Sequence, residues 1–175
     1  MAQNGVVIVN GGLGVEGDLG IAGAVNARDV NVTGDIRLVN ADCAEEFALE
    51  RGGTVEPGTV MVLGEAGRLR PSDVAYDRRV AGVVSGGGDY RPGIILGEGS
   101  GGGAPVALAL IGRVACRVDA TREPVSVGDL LTTSDLPGHA MKASDPARAF
   151  GAVIGKALAP LERGTDLVPI LVALT

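Results

Sequence analysis

The side chains of this protein that could do chemistry are few and far apart. His139 is the sole histidine, so a histidine-based triad would have to be assembled from it with Cys43, Cys116 or a serine. It follows Pro137 and Gly138, a turn-forming pair, and reads as an exposed turn residue. Cys43 and Cys116 lie far apart with no CxxC, which points to two reduced core residues and not to a disulfide framework or a zinc site. Glu45, Glu46 and Glu50 could be grouped as cation ligands, yet the first two also suit the positive end of a short helix and need no metal to explain them. Asp73, Asp77, Asp135 and Asp145 fall where turns are expected. Two segments match GxGxxG. Gly12, Gly14 and Gly17 follow the strand-like VVIVN, as in a dinucleotide-binding unit. The DLGIAGAVN that comes next adds further glycines and supplies no helix N-terminus to meet a pyrophosphate. Gly97, Gly99 and Gly102 lead through Ala104 and Pro105 into a strand and read as part of a flexible Gly-rich loop over 97–103, suited to variable surface contacts. No catalytic residue, cofactor or metal is assigned.

Composition narrows the partners. Apolar residues make up 46% of the 175 but aromatic ones only 2%, so any core is built from Val, Leu, Ile and Ala. Almost no flat surface is left on which a base or a sugar ring could stack. The net charge is −6 and the basic residues are scattered, so neither nucleic acid nor an anionic membrane is an expected partner. No apolar run approaches a bilayer span, and MAQNGVVIVN lacks the basic start of a signal peptide. Cytoplasmic synthesis is the expectation.

With no machinery to position, the elements themselves carry the signal. The 29 glycines predict short strands joined by tight turns, an all-β chain. From Gly5 to Leu38 a six-residue rhythm runs through Leu13, Val15, Leu19, Ile21 and Val25, then slips by one residue and resumes at Val30, Val32, Ile36 and Leu38. Gly17, Gly23 and Gly34 fall between these residues, where turns belong. Apolar residues at i and i+2 share one face of an extended segment. Burying a Val, Leu or Ile contributes about 1.5–3 kcal/mol, whereas ordering roughly 30 backbone units costs about 1–2 kcal/mol each. One chain with one apolar face cannot offset that. Three hexads make one coil of a left-handed β-helix, and this strip holds fewer than two coils, so three parallel chains are predicted to complete each coil together.

Residues 1–41 are therefore read as a short trimeric β-helix-like stem for trimerisation and anchoring. Residues 42–53 read as a short junction helix: Asp42 and Glu45 form a capping box, and Gly52 and Gly53 end it. Phe47 and Leu49 are expected to pack this helix under the head. Residues 54–175 contain an internal repeat, 54–120 and 121–175, offset by about 70 residues. GTVMVL from Gly58 matches Gly128-Asp129-Leu130-Leu131, Gly67-Arg68-Leu69 matches Gly138-His139-Ala140-Met141, and Val80-Ala81-Gly82-Val83-Val84 matches Phe150-Gly151-Ala152-Val153-Ile154. Each half closes on an apolar strand, at 105–111 and 167–174. Two similar modules about a pseudo-twofold axis predict a compact β-barrel or sandwich head.

The order ADCAEEFAL, EPGTVMVL, AYDRRVAGVVSG, RPGIIL, VGDLLTTSDLPGHAMKA and ARAFGAVIGKAL resembles phage- and prophage-type tail-fibre or appendage proteins, in which a hexad stem precedes a β-rich C-terminal head. The resemblance spans nearly the whole chain and implies a homotrimer. It further implies a non-enzymatic structural component of a phage-like particle, a fibre, spike or decoration protein, that binds other particle proteins through the N-terminal stem. Some relatives resemble self-cleaving chaperone domains opened by a motif like Ala44-Glu45-Glu46-Phe47, which makes an autoproteolytic intramolecular chaperone one alternative. A tip that binds a cell-surface receptor or glycan is another.

Overall fold

The computed structural model describes residues 11, 12, 14–39, 42–97 and 105–173. Leu13 and most of the Gly-rich loop at 97–103 lie outside the described residues. The chain divides into two compact units, Met1–Ile36 and Arg37–Thr175.

In the first unit the backbone bends at 16–17, 22–23 and 33–34. These bends carry Gly17, Gly23 and Gly34, the glycines of the hexad rhythm. No residue described in this unit belongs to a strand or a helix.

The second unit is nearly all β. Its strands are β1 (Asp42–Phe47), β2 (Val60–Leu63), β3 (Leu69–Pro71), β4 (Val80–Val84), β5 (Pro92–Leu96), β6 (Val106–Asp119), β7 (Leu130–Thr133), β8 (Ala140–Lys142), β9 (Val153–Ala157) and β10 (Thr165–Ala173). One short helix, α1 (Pro146–Ala149), precedes β9. Val168, Ile170 and Val172 of β10 point inward while Leu167 and Leu171 point out, the period-two alternation of a strand with one buried face.

Five strands close a barrel in the second half. β6 pairs with β10, β10 with β9, β9 with β7 and β7 with β8. β8 returns to β6 through the parallel pair Val118–Ala140. The first half repeats this ring. β1 pairs antiparallel with the N-terminal part of β6, β6 with β4, β4 with β2 and β2 with β3. β3 meets the residues just after β1 through the parallel bridge Leu49–Leu69. The 14-residue β6 thus ends one barrel and begins the next. Met61, Leu69 and Leu108 fill the first; Val114, Leu131, Ile154 and Ile170 fill the second.

The duplication reaches individual hydrogen bonds. Gly58 N donates to Val84 O at 2.8 Å and Gly128 N to Ala157 O at 2.8 Å. Ser72 N donates to Val60 O at 2.9 Å and Ala143 N to Leu130 O at 2.8 Å. Both halves shift register at the same step, between Met61 and Val62 and between Leu131 and Thr132. Opposite each bulge stands a glycine that the neighbouring strand approaches too closely for a side chain. A Cβ on Gly82 would lie 2.6 Å from Ala109 O, and one on Gly155 2.1 Å from Leu171 O.

Two expectations are corrected. Residues 42–53 hold no helix: Asp42–Phe47 is a strand between β5 and β6. A capping box is a local signal worth about 1 kcal/mol, and two-turn helices are marginal alone, so pairing with a strand distant in sequence prevails. Phe47 and Leu49 do pack against the first-barrel core. The helix that forms is α1, capped by Asp145, whose carboxylate accepts from Ala147 N and Arg148 N ahead of Pro146. Second, Val80–Val84 corresponds in space to Val153–Ala157 and not to 150–154. The sequence match is three residues out because the position that must be conserved between halves is the glycine opposite the bulge.

Candidate functional site

The features that could act are surfaces. Eight of the nine stem residues singled out by the hexad rhythm are described, and all eight are exposed on the chain by itself. Their exposure runs from 46% at Val15 to 72% at Val30. Seven of these residues, Val15 to Ile36, belong to the first unit and Leu38 to the second.

A second apolar surface lies at the start of the second unit. β5 pairs only with β1, so one of its edges is free among the described residues. Ile94, Ile95, Leu96 and Ile111 are exposed there. Leu38, Asp42, Cys43, Ile94 and Ile111 line a shallow cavity of about 270 Å³ that spans the neighbouring strands β5, β1 and β6. Asp42 is buried, and among the described residues neither carboxylate oxygen has a hydrogen-bond partner; the Ser85 hydroxyl is likewise buried and unpaired among them. Burial pushes the Asp42 carboxyl up.

Two clefts occupy matching places, one bordered by β3 and one by β8. The first, about 430 Å³, is lined by Leu49, Glu50, Val55, Leu69, Arg70 and Asp73. The second, about 200 Å³, is lined by Tyr76, Asp119, Arg122, Glu123, Lys142 and Arg148. Its charges are largely matched internally. Lys142 Nζ lies 3.0 Å from Asp129 and 3.6 Å from Glu123, Arg122 lies 2.5 Å from Asp135, and the Arg148 guanidinium stacks 4.3 Å above the Tyr76 ring. Burial would push the Asp119 carboxyl up, but hydrogen bonds from Thr121 and Ser134 outweigh it and hold it low. The Arg79 guanidinium beside Asp77 holds that carboxyl down.

The other residues weighed from the sequence are dispersed. His139 is half-buried in its turn, its Nδ1 2.8 Å from Pro137 O. Cys116 is wholly buried, and burial pushes its thiol well above the usual range; Cys43 is half-buried on β1. Asp73 pairs with Arg70, and Glu50 accepts from Glu65 N. Among the described residues no three His, Cys, Asp or Glu side chains cluster as cation ligands, and no helix is long and apolar enough to cross a membrane. The sequence reading does not find Asp42 as a buried acid; its one signal is an acidic residue at an inward position of a strand whose first residues also carry a helix-capping pattern.

No family model matches the chain, and no curated protein matches it. Solved structures do. The crystal structure of the bacteriophage phi29 gene product 12 C-terminal fragment is similar at a TM-score of 0.53 and 17% identity, over 75% of this chain and 100% of that one. The pre-mature bacteriophage phi29 gene product 12 is similar at a TM-score of 0.56 and 19% identity, over 87% of this chain. This chain spans 24% of that second protein's length. At these identities the likeness is one of fold.

Proposed function

We propose that this protein is a non-enzymatic structural component of a phage-like particle, a fibre, spike or decoration protein, that acts as a homotrimer. The observation that carries the reading is the exposed row from Val15 to Leu38. In water that row is unfavourable at about 25 cal/mol per Å², and three parallel copies shelter it on a common axis. The stem then binds other particle proteins, and the head is displayed. Similarity of fold to a phage protein supports the particle assignment. The scarcity of aromatic side chains counts against a glycan tip formed within one chain. The test is to purify phage-like particles from producing cells by density sedimentation and look for the chain by peptide mass spectrometry. Co-sedimentation in fixed ratio to the other particle proteins supports the assignment; its absence from intact particles refutes it.

A self-releasing folding domain is the second reading. It is favoured by the match of the whole of a C-terminal fragment, from a protein also known in a pre-mature form, to this chain. Intact mass after days of incubation distinguishes the two, because a single full-length species excludes self-cleavage.

A further inference from the structure

The two barrels do not face each other as equals. The turn between β7 and β8 seats on the first barrel, where Gly138 N donates to Ser72 O at 2.7 Å and Gly138 O accepts from Val60 N at 2.9 Å. The counterpart turn between β2 and β3, around Gly67, is exposed, and among the described residues nothing lies within 4 Å of a Cβ placed on Gly67. The counterparts of Val60 and Ser72 are Leu130 and Ala143. No turn is seated on them among the described residues, and with Phe150 they line an open apolar groove of about 330 Å³. Burial records the asymmetry: Val60 is 0% exposed and Leu130 42%, although both occupy the same place in their barrels.

A second contact runs in the opposite direction with the same asymmetry. The segment after β3 covers Thr133: Tyr76 N donates to Thr133 O at 3.1 Å, Asp77 N to Thr133 Oγ1 at 2.7 Å, and Thr133 Oγ1 to Val74 O at 2.8 Å. Ala75 and Tyr76 also form one wall of the second cleft. Leu63, the counterpart of Thr133, is 42% exposed, and among the described residues the first cleft is lined only by first-barrel residues. The segment that would cover them by repetition is the α1 loop, whose Phe150 is 84% exposed.

Each barrel therefore has one used and one unused half of a single head-to-tail contact. A contact of this kind is heterologous: repeated, it closes a ring or runs on as a filament. We infer that the head closes a ring of three copies in which the turn at residues 64–68 of one copy seats in the Leu130–Ala143–Phe150 groove of the next. The α1 loop of that next copy in turn covers Leu63 and the first cleft. Three chains then present six barrels in one head-to-tail series. The inference rests on the homotrimer of the proposed function, which sets the number of copies, and it assigns that trimer's contact in the head.

The internal contact supplies the test. A Cβ on Gly138 would lie 3.9 Å from Thr59 Cβ, within the range of about 3.5–4.5 Å that suits a disulfide. The corresponding pair between copies is Gly67 and Asp129. The double variant Gly67→Cys, Asp129→Cys, mildly oxidised as the full chain, is expected to give covalent species that stop at three chains on a non-reducing gel, while each single variant gives no such species. Covalent ladders beyond three chains overturn the ring. An unlinked double variant that has the mass of three chains also overturns it while leaving the trimer standing, whereas a single-chain mass for the unaltered protein removes both. Hydrogen exchange on the unaltered protein guards against misfolding of the variant. The Leu130 and Gly67 amides are expected to be protected like core amides, as donors to Gly67 O and Ala143 O of the partner copies, and free exchange at both refutes the contact.

Discussion

Gly155 of β9 lies against Leu171 of β10 so closely that a methyl group on its Cα would come within 2.1 Å of the Leu171 carbonyl oxygen. The atoms in the way are backbone, so the strands and not a side chain would have to move. Gly155→Ala is expected to destabilise the chain by about 3 kcal/mol or more, and Gly82→Ala, facing Ala109 O and lying at φ 151°, to do much the same. Denaturant unfolding measures both. A Gly155→Ala midpoint equal to the parent's would mean that the paired strands are misaligned.

Asp42 makes stability depend on pH in an unusual direction. Its carboxyl is raised in the folded chain above an ordinary value of 3.8, so the folded state holds the proton more tightly than the unfolded state. The cost of burying the charge is therefore absent below pH 3.8, grows as pH rises through the folded value, and is fully present above it. Asp77 and Asp119, held low, run the other way and lose their contribution as pH falls. Asp42→Asn is expected to be more stable than the parent at pH 7 and less so relative to it at pH 3, by melting temperature at the two pH values. Equal melting at pH 7 would mean that the carboxylate is satisfied in the assembled protein.

Tyr76 sits at φ 60°, an unfavourable backbone for a non-glycine residue, and three contacts hold it there. Its N–H reaches Thr133 O, its hydroxyl accepts from Asp145 N at 3.0 Å, and Arg148 covers its ring. Tyr76→Phe and Arg148→Ala are each expected to cost about 1 kcal/mol. The double variant should cost less than the sum, because both side chains belong to one contact. Additive losses in thermal melts would show that they act independently.

What the sequence revealed and what it hid divide along the range of the forces involved. The hexad rhythm is local, and the bends at Gly17, Gly23 and Gly34 follow it. The repeat is carried by turn residues with positive φ, such as Gly58 and Gly128, so both modules are legible from local sequence without their strand pairing. Asp42–Phe47 is not, because its identity as a strand is decided by β6, which it meets only after some sixty intervening residues. The three-residue slip at β9 has a related cause: Phe150-Gly151 mimics Val80-Ala81 in type, whereas spatial equivalence follows Gly82 and Gly155, whose constraint comes from a neighbouring carbonyl. The unused groove beside Leu130 was invisible for the same reason, since nothing in its composition separates it from the buried place of Val60.

In the stem, Ile21→Asp places a carboxylate in the row that the proposed trimer buries. Buried unpaired charges are strongly unfavourable, so the variant is expected to lose or weaken association while keeping the far-ultraviolet spectrum of the β head. Unchanged association would mean that the register of the apolar row is wrong.

The most direct test of the central claim is the solution mass of the unaltered chain by light scattering at micromolar concentration. Three chains wrapped around their shared apolar row should scatter as one particle of three times 17.5 kDa. A particle of 17.5 kDa, stable and well behaved in water with that row uncovered, would contradict the account.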